Sequence, residues 1–233
     1  MQAPYNRANP SPRYRELLAL YQAAHAKGLP DQNIAAEETF SGQSLGEHAG
    51  LVRQLIHLTG AKTLLDYGAG KGQLYRASGI KIGGEIVPDI RTYWGIKDVH
   101  LYDPGHAPYS ALPSDSFDAV ICTDVLEHVP QEDIQWVLAE IFGFARKFVF
   151  ANVASYPAQK SLPNGENAHA TVQPPLWWRQ QIDRVHQPSG VDYLVLVEEK
   201  RHNQRGFLGK LMGPRHRWST LTSRADWESL SAR

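Results

Sequence analysis

The chain has one cysteine, Cys122, and two methionines among its 233 residues. A single cysteine cannot close an internal disulfide, and nothing in its use points to an oxidising compartment. It lies in a short apolar run and reads as a small core residue. Long hydrophobic runs are also missing. No window approaches the roughly 18 apolar residues of a membrane-spanning helix, and Met1 to Arg7 hold no apolar stretch suited to a signal peptide. The expectation is a cytoplasmic protein without a membrane partner. Ten histidines are present, but no His-x-x-x-His pair or cysteine cluster gathers them. No zinc site is recognisable, and no metal is expected.

Charge of one sign is missing only in the sum. The chain carries 24 basic and 24 acidic side chains, a formal net charge of zero, which by itself disfavours a dedicated nucleic-acid binder. Residues 200–233, however, hold Lys200, Arg201, Arg205, Lys210, Arg215, Arg217, Arg224 and Arg233 against Asp226 and Glu228. That is a net of +6, leaving −6 for residues 1–199. The basic segment is either a solvated surface or a patch that meets an anionic partner. Hydrophobic residues make up 42% and charged residues 21%, the composition of a globular domain rather than a disordered chain. The length suits one domain with appendages.

Residues 1–13 are polar, contain Pro4, Pro10 and Pro12, and read as a flexible lead-in. Leu17, Leu18 and Tyr21 predict a helix over 14–27, stopped by Gly28 and Pro30. A second helix is expected from Ser44, which with Glu47 has the spacing of a capping box, to Gly60. Strands and helices then alternate. Buried strands are expected at 63–67, 99–103, 118–123, 148–153 and 193–197. Ile134, Val137, Leu138, Ile141 and Phe142 mark an amphipathic helix between the third and fourth. The fold class is therefore α/β: a doubly wound, mostly parallel, Rossmann-like sheet with helices on both faces. Three parts are expected. Residues 1–43 form an N-terminal helical extension, 44–200 the main domain, and 201–233 a basic C-terminal segment. Within the main domain, 77–97 is an insertion, whose Tyr93 and Trp94 either cover the site or pack, and 154–180 is a substrate-side loop. Ligands of such sheets bind outside the carboxyl ends of the strands.

The first strand runs through Asp66 into Gly68-Ala69-Gly70-Lys71-Gly72. Glycines let the backbone approach a ligand and take positive φ. The dinucleotide fingerprint fails because Gln73 stands where its last glycine belongs, and the P-loop pattern is absent. An acid beside a pyrophosphate would repel it, so the pattern favours a nucleoside without phosphates. Leu65-Asp66-Tyr67-Gly68-Ala69-Gly70-Lys71-Gly72 resembles the glycine-rich motif of class I S-adenosylmethionine-dependent methyltransferases. The run from Phe117 to Val129, FDAVICTDVLEHV, is similar to their fourth-strand motif FDxVxxxxVLEH, and Leu101-Tyr102-Asp103 looks like their second-strand acid. The resemblance covers roughly residues 45–153.

That resemblance implies S-adenosyl-L-methionine as cofactor. The backbone of Gly68, Ala69, Gly70 and Gly72 would pass its methionine part, and Asp66 would hold the amino group directly or through water. Asp103 would accept from the ribose hydroxyls, and Asp124 and Val125 would line the sulfonium region. Glu127 and His128 are read either as site residues, His128 being a catalytic candidate, or as a helix-start pair with Glu at the positive end of the dipole. Only 15 residues separate Asp103 from Asp118, so a third strand and an adenine-binding acid have no obvious place; His106 falls nearest.

After the fourth strand, Asn164, Glu166, Asn167, His169, Trp177 and Trp178 crowd one segment. An oxygen acceptor needs a base, and histidine titrates near neutrality. His169 is the expected base, with Asn164, Glu166 and Asn167 orienting the substrate or His169 itself, and the tryptophans contacting substrate. The alternative is an Asn-Gly turn with a structural histidine and a tryptophan anchor. The Asn/Asp-Pro-Pro-aromatic run of amino-directed nucleic-acid methyltransferases is replaced by Thr123-Asp124-Val125-Leu126. Methyl transfer to a small-molecule or glycan-like acceptor is expected, at oxygen, with an anionic acceptor favoured if Lys210, Arg215 and Arg217 fold back towards it. Two alternatives stay open: an RNA or protein methyltransferase gripping its polymer with the basic segment, and a cofactor-binding protein without catalysis.

Overall fold

A computed structural model describes residues 5–42, 44–201 and 215–231. Its centre is a six-stranded sheet of β1 (Thr63–Tyr67), β4 (Asp98–Tyr102), β5 (Phe117–Thr123), β6 (Ala145–Ala154), β7 (Asp192–Arg201) and β8 (Arg215–Thr222), in the order β4-β1-β5-β6-β7-β8. All neighbours are parallel except β7 and β8. The chain turns from β1 outwards to β4, then returns to the other side of β1 as β5. That reversal opens a crevice at the carboxyl ends of β1 and β5, where this class of sheet binds ligands.

Helices cover both faces. Every residue of β5 is buried, and alternate side chains point opposite ways, as the strand period demands. Val120 and Cys122 pack towards α4 (Ile134–Phe144) and α5 (Pro175–Ser189) with Trp136, Val137, Ile141, Trp178 and Ile182. Ala119 and Ile121 pack towards α2 (Leu45–Thr59) and α3 (Ile90–Trp94) with Leu55, Ile90, Trp94 and Trp227. This double coverage makes the strands continuous apolar runs, and it explains why five of the six could be read from sequence. Among the described residues no helix is long and apolar enough to cross a membrane.

Several local expectations differ from the structure. Residues 5–11 are docked, not a loose lead-in. Arg7 pairs with Glu140 and lies over the Tyr102 and Trp136 rings, and Ser11 accepts from the Tyr14 amide as N-cap of α1 (Pro12–Lys27). Ser44 has helical φ and ψ, and its side chain makes no capping bond. Residues 77–97 form a hairpin of β2 (Ile80–Ile82) and β3 (Glu85–Val87) followed by α3. There Trp94 is fully buried and donates to the Ala49 carbonyl, while Tyr93 stacks under Arg53, so both pack and neither lines the cleft. The stretch from Asp103 to Ser116 holds only a short turn, Ala107–Tyr109, and no strand. Most consequentially, the segment read as a substrate loop over 154–180 ends in α5, whose Pro174-Pro175 start fits proline's tolerance at the first helical position.

Candidate functional site

A cleft of about 530 Å³ opens at the carboxyl ends of β1, β4, β5 and β6, a size ordinary for small-molecule sites. One wall is the glycine loop after β1. A second is α1, which presents Tyr14, Leu17, Tyr21 and His25. A third is the segment after β6, with Tyr156, Lys160, Ala168 and His169. Leu17, Leu162 and Ala168 form a small buried cluster that ties α1 to that segment.

At the loop end the backbone is fully engaged. The amides of Gly68 and Ala69 donate to the Tyr102 carbonyl, that of Gly70 to Asp103 Oδ2 at 2.8 Å, that of Lys71 to Phe40 O and that of Gly72 to Ala69 O. A phosphate cradle needs free amides, and this loop offers none. Gly68 and Gly70 both have positive φ, +88° and +56°. A Cβ at Gly68 would stand 2.2 Å from Val125 Cγ2, and one at Gly70 2.2 Å from the Phe40 carbonyl oxygen. Gly68, Gly70, Asp103, Asp124 and Val125 line the cleft, whereas Ala69 and Gly72 shape the loop from behind. Asp103 Oδ1 also accepts from the Gly105 amide. Its carboxyl is held above the usual range by burial, against those amide bonds.

Asp66 lies beneath the loop, buried and off the cleft wall. Tyr75 donates to its Oδ2 at 2.9 Å, and Oδ1 has no partner among the described residues. Burial, with Asp103 nearby, pushes its pKa up to about 7. Direct contact with a ligand in the cleft is therefore not available to Asp66. His25, from α1, sits beside Asp103 and meets Lys71 Nζ at 3.1 Å. Burial and the lysine push it down to about 3, which keeps the ring neutral.

At the far end, β5 leads into Asp124 at φ +54° and then a short turn, Leu126–His128. Asn152 of β6 donates to Asp124 Oδ1. Glu127 is fully buried; its Oε1 accepts from the Ala154 amide at 3.0 Å, and Oε2 has no partner among the described residues. Burial and Asp124 raise its pKa to about 8. His128 Nδ1 lies 2.8 Å from the Ala168 carbonyl oxygen and 2.7 Å from the Tyr21 hydroxyl, which itself donates to Ala168 O. A carbonyl can only accept, so Nδ1 carries the proton and Nε2 the lone pair. The Nδ1 of His169 meets the Tyr156 carbonyl at 2.5 Å, which fixes the same tautomer. The two rings stand 4.9 Å apart, edge to face. Burial lowers both pKa values, that of His128 to about 4.

The remaining predicted residues whose side chains are described do not line the cleft. Trp178 is buried between α5 and the sheet, and Trp177 packs beside it. Both lie in the first turn of α5, packed against the core and away from the cleft. Asn164 and Glu166 lie in an exposed turn, where Asn164 Oδ1 accepts from the Glu166 amide and Glu166 pairs with Arg13 of α1. Asn167 accepts from the amides of Ala158 and His169, so it orients His169 through the backbone. Lys210 lies outside the described residues, and Arg217 is exposed on β8. Sequence reasoning missed Tyr21, Phe40, Tyr156, Lys160 and Lys200, which reach the cleft from four distant parts of the chain. No G-x-S-x-G elbow is expected from the sequence, although Gly42-Gln43-Ser44-Leu45-Gly46 is a G-x-S-x-G string. No strand among the described residues leads into it, so it is not the strand-to-helix elbow of a hydrolase nucleophile. Compared with known proteins, the chain matches no protein-family model and no curated protein.

Proposed function

We propose that the protein is an S-adenosylmethionine-dependent methyltransferase acting at oxygen on a small-molecule or glycan-like acceptor, with an anionic acceptor preferred. One observation carries this reading: a single cleft joins a glycine loop without free amides to a pair of imidazoles with free Nε2 lone pairs. The first end suits a nucleoside that brings hydroxyls and positive charge rather than phosphate. Asp103 spends one lone pair of each oxygen on a backbone amide and keeps others for ribose hydroxyls, and Asp124 and Val125 border the sulfonium region. Bound there, the cofactor supplies an electrophilic methyl group: the carbon–sulfur bond breaks as the carbon–oxygen bond forms, and sulfur keeps the electron pair.

The acceptor oxygen must lose its proton, and His169 is neutral at pH 7 with Nε2 available to receive it. In this reading α1 is an N-terminal extension that roofs the cleft, and residues 154–174 are the substrate-side insertion. Lys160 and Lys200, on the cleft wall, supply the positive charge that an anionic acceptor meets.

Calorimetric titration with S-adenosylmethionine tests the first half: binding that Asp103→Ala weakens about a hundredfold is expected, and no binding overturns the reading. A screen of phosphorylated sugars, sugar nucleotides and tRNA, followed by S-adenosylhomocysteine release, tests the second. Turnover of tRNA alone, with affinity falling steeply as salt rises, would replace the small acceptor by a polymer. Tight cofactor binding with no turnover of any acceptor would leave a binding protein.

A further inference from the structure

Glu127, His128 and His169 each offer one potential ligand atom, and these atoms all lie within 4.8 Å of one another. Three independent features of their surroundings resemble a built site. Both histidines have Nδ1 tied to a backbone carbonyl, which fixes the ring and exposes the Nε2 lone pair; this is the usual outer-shell support of a metal-binding histidine. Glu127 is fully buried, anchored through Oε1 on the Ala154 amide, with Oε2 unpartnered among the described residues. A buried carboxyl oxygen left without a partner is costly, and a cation that displaces its proton supplies that partner. Finally, the group opens into the cleft, so further coordination positions are accessible.

We propose that Glu127, His128 and His169 hold one divalent cation at the acceptor end of the cleft, where it binds the oxygen that is to be methylated. Two imidazoles and one carboxylate suit Mn²⁺, Fe²⁺, Co²⁺ or Zn²⁺ and disfavour Mg²⁺ and Ca²⁺, which seek all-oxygen sets. The cation lowers the pKa of the bound hydroxyl, whose proton leaves to solvent. With the cation bound, the Nε2 lone pair of His169 is spent as a ligand, and this replaces the role of His169 as the base in the reading above. The acceptors this arrangement selects carry a hydroxyl beside a second oxygen donor, such as a vicinal diol or a hydroxy acid. What the cation does rests on the methyltransferase reading; whether it binds does not.

The site was invisible in sequence because Glu127 and His128 are adjacent while His169 lies on a different loop, a spacing that matches no metal motif. The test is calorimetric titration of the metal-stripped full chain with MnCl₂, ZnCl₂ and MgCl₂, in the absence of S-adenosylmethionine. One equivalent of Mn²⁺ or Zn²⁺ should bind, with Mg²⁺ at least a hundredfold weaker. Glu127→Gln, which preserves shape, and His169→Ala should each weaken binding a hundredfold or more, with circular dichroism unchanged. His57→Ala, exposed on α2, should leave it unaltered. Electron paramagnetic resonance of bound Mn²⁺ gives a second readout, expected to lose its protein-bound signal in both ligand variants. Failure of the wild-type chain to bind either ion at millimolar concentration overturns the proposal, as does binding that both variants retain. Cofactor titrations on the same preparations separate the two readings: metal binding without S-adenosylmethionine binding refutes the methyltransferase alone, and the reverse refutes the metal site alone.

Discussion

At the glycine-loop end of the cleft every amide from Gly68 to Gly72 already has a partner, whereas at the histidine end a buried carboxylate oxygen and two imidazole nitrogens have none among the described residues. The loop end is a scaffold. Its atoms are spent on one another and on Phe40, so what it offers a ligand is shape and the spare lone pairs of Asp103. The histidine end spends its Nδ1 protons on carbonyls and holds its lone pairs in reserve. Positive φ follows the same division. Glycine supplies it in the loop, while Asp124 supplies it beside the histidines at the strain expected of a functional site. The two ends of one cavity thus differ in what they present, shape at the loop and lone pairs at the histidines.

The largest expected effect strikes the scaffold. Gly70→Val places a β-branched side chain in the left-handed region and a Cβ 2.2 Å from the Phe40 carbonyl. The loop, the 40–42 segment or both must move, at a cost on the order of 4 kcal/mol. Urea denaturation should register the loss, and cofactor binding should become undetectable. A variant that kept wild-type stability would show that the loop is not the rigid element described here.

Asp103→Ala and His169→Ala form the pair that sharpens the comparison. Removing Asp103 orphans the Gly70 and Gly105 amides and deletes the acceptors for ribose, so S-adenosylmethionine affinity should fall about a hundredfold, ~2.7 kcal/mol. Removing His169 should leave that affinity within about twofold and abolish turnover. Equal losses of cofactor affinity in both variants would erase the division between the two ends.

What could be read from sequence follows the same line. The strands of the sheet were legible because burial on both faces makes them uninterrupted apolar runs, and the loop end was legible because its residues are contiguous, Asp66 to Gly72, with Asp103 one strand away. The histidine end was legible only in part. His128 and His169 could be named, but the Tyr21 hydroxyl from α1, Lys160 and Lys200 converge there through tertiary packing that leaves no local pattern. The tryptophan pair misled for a related reason. Trp177-Trp178 looks like an aromatic binding platform in a polar segment, and only the Pro-Pro helix start, which was available, would have turned it towards the core. Edge strand β8 was missed because, as the last antiparallel strand, it reads as a polar, basic stretch.

Asp66 gives a pH test of the scaffold. Its pKa of about 7 in the folded protein exceeds the roughly 4 of an unfolded chain, so the folded state holds this proton more tightly. Its contribution to stability is therefore complete below pH 4, declines as pH rises towards 7, and is constant above. The full shift corresponds to at most about 4 kcal/mol, and relaxation around the buried carboxyl makes about 2 kcal/mol the expected difference. Asp66→Asn keeps an acceptor for Tyr75 and removes the titration. Subtracting its denaturation profile from that of the wild type cancels His25 and His128, whose lowered pKa values act with the opposite sign. A flat difference between pH 4 and 7 would show that Asp66 is charged, and hence hydrated, in the folded state.

The smallest effect is expected at the mouth of the histidine end. Lys160 lies over the Phe40 ring and Lys200 over that of Tyr156, and both line the cleft. Neither makes a hydrogen bond or ion pair with the Glu127–His128–His169 group among the described contacts, and each acts on it only through its charge, Lys160 on His128 and Lys200 on His169; in the proposed reading they serve recognition rather than chemistry. The double substitution Lys160→Ala/Lys200→Ala should raise the KM of an anionic acceptor about tenfold, ~1.4 kcal/mol, and leave kcat within about twofold. The penalty should shrink in high salt, because partly exposed charges are screened within a Debye length of about 10 Å. A fall in kcat instead would mean that the lysines act on the reacting oxygen, and the boundary between recognition and chemistry would then have to be drawn closer to solvent than the two histidines.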